Sequence, residues 1–115
     1  MFLYNKLVVY QKAFVLNKSI YQLIKKSSAI PIYVKNQLGR STLSIMLNIA
    51  EGNGKTSKRD KRNFLIIARA STFETAALID FLASEQEMDE NEAKRYQIEL
   101  DEIAKILTTI TKSLE

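Results

Sequence analysis

The sequence contains no cysteine and no histidine, and only three glycines and one proline among its 115 residues. Without cysteine there are neither disulfides nor thiolate metal sites, and a reducing compartment is allowed. Without histidine the chain lacks the commonest general base, the commonest metal ligand and every triad that needs an imidazole. The Glu-x-x-His pairs of a di-iron bundle cannot be built either. Scarce glycine and proline leave little material for many turns or short strands, so long helices are the natural reading. Long apolar runs are absent as well, since lysines or polar residues break each one short of a membrane span. The opening residues Met1-Phe-Leu-Tyr-Asn-Lys6 lack a basic leader, an apolar stretch of signal length and a small-residue cleavage site. These absences predict a soluble, cytoplasmic protein with no membrane partner and no cofactor.

What is present is a single-domain length and a marked division of charge. Residues 1–62 carry twelve Lys/Arg against two Asp/Glu, a net of +10. Residues 63–115 carry five against eleven, a net of −6, and the two halves give the overall +4. Such a division points to a basic face for polyanions, or to halves that attract one another, or to solvated helix faces that happen to segregate.

Apolar spacing predicts four helices, at about 5–26, 32–51, 58–84 and 90–114, within one domain over 1–115. In the first, Val9, Ala13, Leu16, Ile20 and Leu23 form a heptad seam widened by Tyr10, Phe14 and Tyr21. Its aromatics at helical spacing read as core rather than as a base-stacking platform. In the second, Val34, Leu38, Ile45 and Ile49 form one stripe, and Leu43, Met46, Leu47 and Ala50 a second. The small residues Gly39, Ser41 and Ser44 allow close helix approach. The third, whose seam is Phe64, Ala68, Ser71, Thr75, Leu78 and Leu82, is apolar on a second side through Leu65, Ile66, Ile67, Phe73, Ala77, Ile79 and Phe81. Helices apolar on two sides are buried on both, here with another subunit as the expected second partner and burial wholly within the monomer as the alternative. The fourth keeps strict heptad spacing from Ala93 through Tyr96, Leu100, Ile103, Leu107 and Ile110 to Leu114. The expected fold is an all-α, antiparallel up-down-up-down four-helix bundle.

The junction between the second and third helices concentrates the local signals. Gly52 suits the left-handed position that ends a helix. Ser57 and Asp60 have the spacing of an N-terminal capping box, and Asp89 with Glu92 repeats it before the fourth helix. Around the first box stand Lys55, Lys58, Arg59, Lys61 and Arg62. Cations at a helix N-terminus oppose the macrodipole, and such conflicts tend to fall at functional sites. Gly54-Lys55-Thr56 resembles the end of a phosphate-binding loop, but Ile49 stands where its first glycine belongs and a helix precedes it instead of a strand. Glu51 and Glu74 are expected near each other in the core, hydrogen-bonded or paired with Arg40 or Arg69, rather than as a metal or acid–base site.

The segments Leu7-Val-Val-Tyr-Gln-Lys-Ala13, Gln37-Leu-Gly-Arg-Ser41, Ser44-Ile-Met-Leu-Asn-Ile-Ala-Glu-Gly-Asn-Gly-Lys-Thr-Ser57 and Phe64-Leu-Ile-Ile-Ala-Arg-Ala-Ser71, followed by Glu74, occur in that order. Together they closely resemble the bacterial four-helix-bundle family of 23S ribosomal RNA intervening-sequence proteins. The resemblance implies a bundle assembled as a ring, often a homopentamer, and supplies no catalytic residue. It also extends to the accessory variability protein of diversity-generating retroelements, a pentameric barrel that binds nucleic acid and a reverse transcriptase through basic surfaces. Asn48, Glu51, Gly52 and Glu74 fall on the family's motif positions. Ala70 stands where glycine is frequent, and Gly39 and Lys55 where arginine is common.

Two functional readings follow. One is a non-enzymatic oligomer that binds RNA or DNA with low specificity, with phosphate contacts from Lys12, Lys18, Lys25, Arg40, Lys55, Lys58, Arg59, Lys61 and Arg62. The other is a protein-interaction scaffold, in which these cations pair with the acidic fourth helix of a neighbouring subunit. An enzyme is the weakest option, since no convergent set of catalytic groups is apparent.

Overall fold

The computed structural model describes residues 2–115. Among them are four α-helices and no strand: α1 (Val8–Lys26), α2 (Ile32–Asn53), α3 (Lys58–Ser84) and α4 (Glu90–Ser113). Successive helices pack side by side and α4 returns to α1, so the backbones of neighbouring helices approach closely and those of diagonal helices do not. It measures 43 × 26 × 22 Å.

The predicted α1, α2 and α4 seams supply most of the core, but α3 is turned so that Leu65 and Ile79, expected on its second side, point inward while the seam residues Phe64 and Leu78 are only half-buried. Val9, Ala13, Leu16 and Ile20 of α1 meet Val34, Leu38, Ile45 and Ile49 of α2, Leu65, Ala68, Ile79 and Leu82 of α3, and the α4 heptad from Ala93 to Leu107. A polar seam lies between α2 and α3. Thr75 donates to Ser41 at 2.8 Å, Ser44 and Ser71 share a bond of 2.8 Å, and Asn48 Nδ2 reaches the Ser44 carbonyl at 2.8 Å. Small side chains bring these helices together, and each buried hydroxyl finds a partner, as burial of polar groups requires.

Helix boundaries follow local chemistry. Ser57 Oγ accepts the Asp60 N–H at 3.1 Å, and an Asp89 carboxylate oxygen accepts the Glu92 N–H at 3.1 Å, so both predicted caps form. Leu3–Lys6 is a 3-10 turn, and extended Leu7 separates it from α1. The first α-helix therefore starts at Val8, not near Asn5, because Leu7 takes a backbone conformation that helix cannot continue through. Gly52 corrects a second expectation. It lies inside α2 with no left-handed backbone, and the helix continues to Asn53. Its bare Cα is needed for packing: a Cβ there would sit 3.1 Å from Phe64 Cβ and 3.3 Å from the Lys61 carbonyl. The left-handed residue is instead Gln86, at φ 59° after α3. There Glu87 N–H bonds to the Leu82 carbonyl and Gln86 N–H to that of Ala83, the pattern of a Schellman cap.

The second apolar sides of α2 and α3 are not covered within one chain. Leu43, Leu47, Ile66, Ile67, Phe73 and Phe81 are all exposed, with Leu47 at 52% and Phe73 at 55%. Phe14 and Tyr21, expected to widen the α1 core face, also point outward, since the narrow seam already fills the interior.

Candidate nucleic-acid interface

The basic corner forms where α2 ends and α3 begins. Ser57 caps α3, and this fixes the direction in which the next residues leave the bundle. Lys58 and Arg59 occupy the first turn, exposed, with no acid in salt-bridge range among the described residues. Lys55 is half-buried, its Nζ 5.0 Å from the centre of the Phe64 ring, a cation–π contact that holds the ammonium at the surface of the corner. Lys61 is half-buried and lines a cavity of about 190 Å³ with Leu65, Ile110 and Leu114.

Arg62 has a different role. Its Nε donates to the Thr111 carbonyl at 3.1 Å, and its guanidinium lies 3.4 Å from a Glu115 carboxylate oxygen. A cation at the C-terminal end of α4 satisfies free carbonyls and complements the dipole there, so Arg62 ties α3 to α4. Lys12 is similarly engaged, with Nζ 2.6 Å from Glu102 across the α1–α4 groove. Part of the division of charge is thus spent inside a single subunit.

The remaining predicted cations do not join the corner. Lys18 and Lys25 are exposed on α1, and Arg40 is exposed on α2. Gly39 lies beside Ile24, which places Lys25 near the level of Leu38, about 25 Å along the axis from Lys55. The nine predicted residues therefore divide into an exposed corner, two internal ties and a separate set along α1 and α2.

Glu51 and Glu74 are both exposed, which corrects their expected place in the core. Gln37 Nε2 donates to Glu74 at 2.5 Å. Glu51 stands fourteen residues beyond Gln37 on α2, hence about 21 Å away along the axis. The helix register separates the two acids, and neither pairs with Arg40 or Arg69. Arg69 instead donates to Thr108 Oγ1 at 2.7 Å and lies 4.7 Å over the Phe73 ring. No group of three His, Cys, Asp or Glu residues suited to a metal occurs among the described residues. No helix is long and apolar enough to cross a membrane.

One part of the corner went unnoticed in the sequence. Phe2 and, in the 3-10 turn, Leu3 and Tyr4 face Asn53, Gly54 and Lys55 across an open groove of about 680 Å³, with Glu51 on the same rim. Phe2 and Tyr4 stand two apart, a strand-like spacing over too short a stretch to form a pattern, so nothing in the periodicity marks them.

Residues 5–109 match the family described as 23S rRNA-intervening sequence protein. The chain belongs to this family. A solved structure supports the same placement: a protein of unknown function from the S23 ribosomal protein family of Bacteroides thetaiotaomicron VPI-5482 superposes with a TM-score of 0.86 at 27% identity, over 91% of this chain and 99% of that one. No curated protein matches the chain. Asn48, Glu51, Gly52 and Glu74, which the resemblance puts at motif positions, divide in this intervening-sequence protein between packing and surface. Asn48 holds the polar seam and Gly52 the close α2–α3 approach, while Glu51 and Glu74 face solvent.

Proposed function

We propose that the protein is a non-enzymatic, self-associating accessory factor of the cytoplasm that binds RNA or DNA with low sequence specificity through its basic corner. The observation that carries this reading is the exposure of Lys58 and Arg59, unpaired, in the first turn of α3, with Lys55 and Lys61 beside them. Cations are disfavoured at that end of a helix, and phosphate would relieve the conflict by neutralising them next to free backbone N–H groups. Such contacts read backbone charge rather than base identity.

Self-association rests on the uncovered apolar faces of α2 and α3, which a second copy would bury. A closed ring of five is the arrangement implied by the resemblance. The exposed faces also favour a second reading, in which the bundle is a scaffold for a protein partner, a reverse transcriptase among them, and binds no nucleic acid.

Fluorescence anisotropy with a structured RNA at low salt separates the two. Binding that weakens steeply as salt rises, and that Lys58→Glu with Arg59→Glu abolishes, supports the nucleic-acid reading. Absence of binding at low salt, or binding indifferent to salt, refutes it and leaves the scaffold.

A further inference from the structure

We infer that the groove between α1 and α2 is a track for single-stranded nucleic acid, continuing from the basic corner along the bundle. This rests on the reading above and adds the strandedness of the ligand and its path. The first observation is a chain of aromatic rings. Phe2 stacks on Tyr4 with centroids 5.8 Å apart and planes 17° apart, Tyr4 meets Tyr10 edge-on at 4.8 Å, and Tyr10 meets Phe14 at 6.1 Å. Phe2 is 73% exposed and faces Lys55 across the corner groove, so the ladder begins at the phosphate-binding candidates.

The second observation continues it. Beyond Phe14 a groove of about 480 Å³ runs between α1 and α2, lined by Phe14, Lys18, Tyr21, Gly39 and Leu43. Tyr21 is 57% exposed, and Lys25 Nζ lies 5.3 Å from its ring. Tyr10, Phe14, Lys18, Tyr21 and Lys25 are four, four, three and four residues apart, so they share one face of α1 over about 22 Å. Rings thus cluster from Phe2 to Phe14, and rings and ammonium groups alternate from Phe14 through Lys18 and Tyr21 to Lys25.

The third observation is electrostatic. Residues 1–50 contain no Asp or Glu, and Glu51 is the single carboxylate on α1 and α2. A polyanion laid along this face meets one repulsive group, at the corner rim, and otherwise only cations and neutral side chains. Alternating aromatic and basic side chains are the recognition mode of single strands, because every base offers a π-face for stacking and every phosphate a charge. A duplex keeps its bases stacked internally and cannot use the rings. Gly39 leaves the α2 wall of the groove without a side chain, which keeps it open to a planar group.

The test compares an oligouridylate of about 12 nucleotides with an RNA duplex of equal length. The full chain and its Phe14→Ala/Tyr21→Ala variant are titrated against both, with thermal unfolding as a control for fold. Both substituted side chains are exposed, so the variant is expected to keep its melting temperature. The track predicts that the single strand binds about tenfold more tightly than the duplex, that tyrosine emission falls on binding, and that the variant loses about fivefold or more for the single strand alone. Equal affinity for both ligands, or a variant that binds the single strand as well as the parent, overturns the track while leaving the corner in place. Absence of binding by either ligand removes the corner and the track together.

Discussion

Gly52 and Gly39 occupy the interior of the same helix, yet they respond oppositely to a methyl group. At Gly52 the added Cβ would press on Phe64 Cβ at 3.1 Å and the Lys61 carbonyl at 3.3 Å, atoms that cannot swing aside. Overpacking of about 1–3 kcal/mol outweighs the ~1 kcal/mol that alanine gains in helix propensity. Gly52→Ala should therefore lower stability by about 1 kcal/mol in urea unfolding. At Gly39 the nearest atom is the mobile Ile24 Cδ1 at 3.5 Å, an ordinary contact, so Gly39→Ala should raise stability by about 0.5–1 kcal/mol. Tyr96 couples stability to alkaline pH. Burial pushes its phenol above the usual value near 10, opposed by its bond to Ser19 at 3.0 Å and assisted by Glu92. The folded state thus holds this proton more tightly than the unfolded chain. Its contribution is complete below about pH 10 and is lost as pH rises through the folded value. Tyr96→Phe should flatten that alkaline loss while lowering stability at neutral pH by about 1 kcal/mol, since its hydrogen bonds disappear. Denaturant midpoints measured across alkaline pH check both effects.

Within the helices, the information that a sequence displays best is periodic. The α4 heptad and the α1 seam were legible because one buried stripe repeats without interruption, and the caps at Ser57 and Asp89 because short polar acceptors precede their helices. Gly52 was misjudged because a glycine at the end of an apolar run has two uses, a left-handed turn or a close approach, and sequence spacing does not distinguish them. Glu51 and Glu74 were misplaced for a related reason: their helix faces were inferable, but their relative level depends on the α2–α3 register. The basic start of α3 was legible as a violation of the dipole rule, and it yields a prediction at this scale. Lys58→Glu with Arg59→Glu places favourable charge in the first turn, so the fold should gain about 0.5–1 kcal/mol. Chemical denaturation of the double variant measures this. A loss of stability instead would mean that these side chains make a structural contact beyond those described.

For the whole molecule, the uncovered apolar side chains of α2 and α3 are spread over more than one side: Leu47 lines the corner groove with Lys55, whereas Phe73 lies against α4. Leu47, Ile67 and Phe73 present apolar area that a monomer rarely leaves uncovered. Sedimentation equilibrium should accordingly give a multiple of the 13.2 kDa protomer mass, and Leu47→Asp with Phe73→Asp should return the single-chain mass with little change in helicity. A parent chain that sediments as a monomer at micromolar concentration would remove self-association from the account. The charge division, by contrast, was only half readable as function. Lys12 and Arg62 belong to internal ties with Glu102 and Glu115, and only folding reveals which cations stay available. Lys58 and Arg59 remain, and the central claim is that they meet phosphate. The most direct test is the slope of log affinity against log salt for single-stranded RNA, measured on the parent and on Lys58→Ala/Arg59→Ala. Each lost phosphate contact should reduce the slope by about 0.7, so the double variant should bind more weakly with a slope shallower by about 1.4. An unchanged slope, or RNA binding that survives intact in the variant, would contradict the claim.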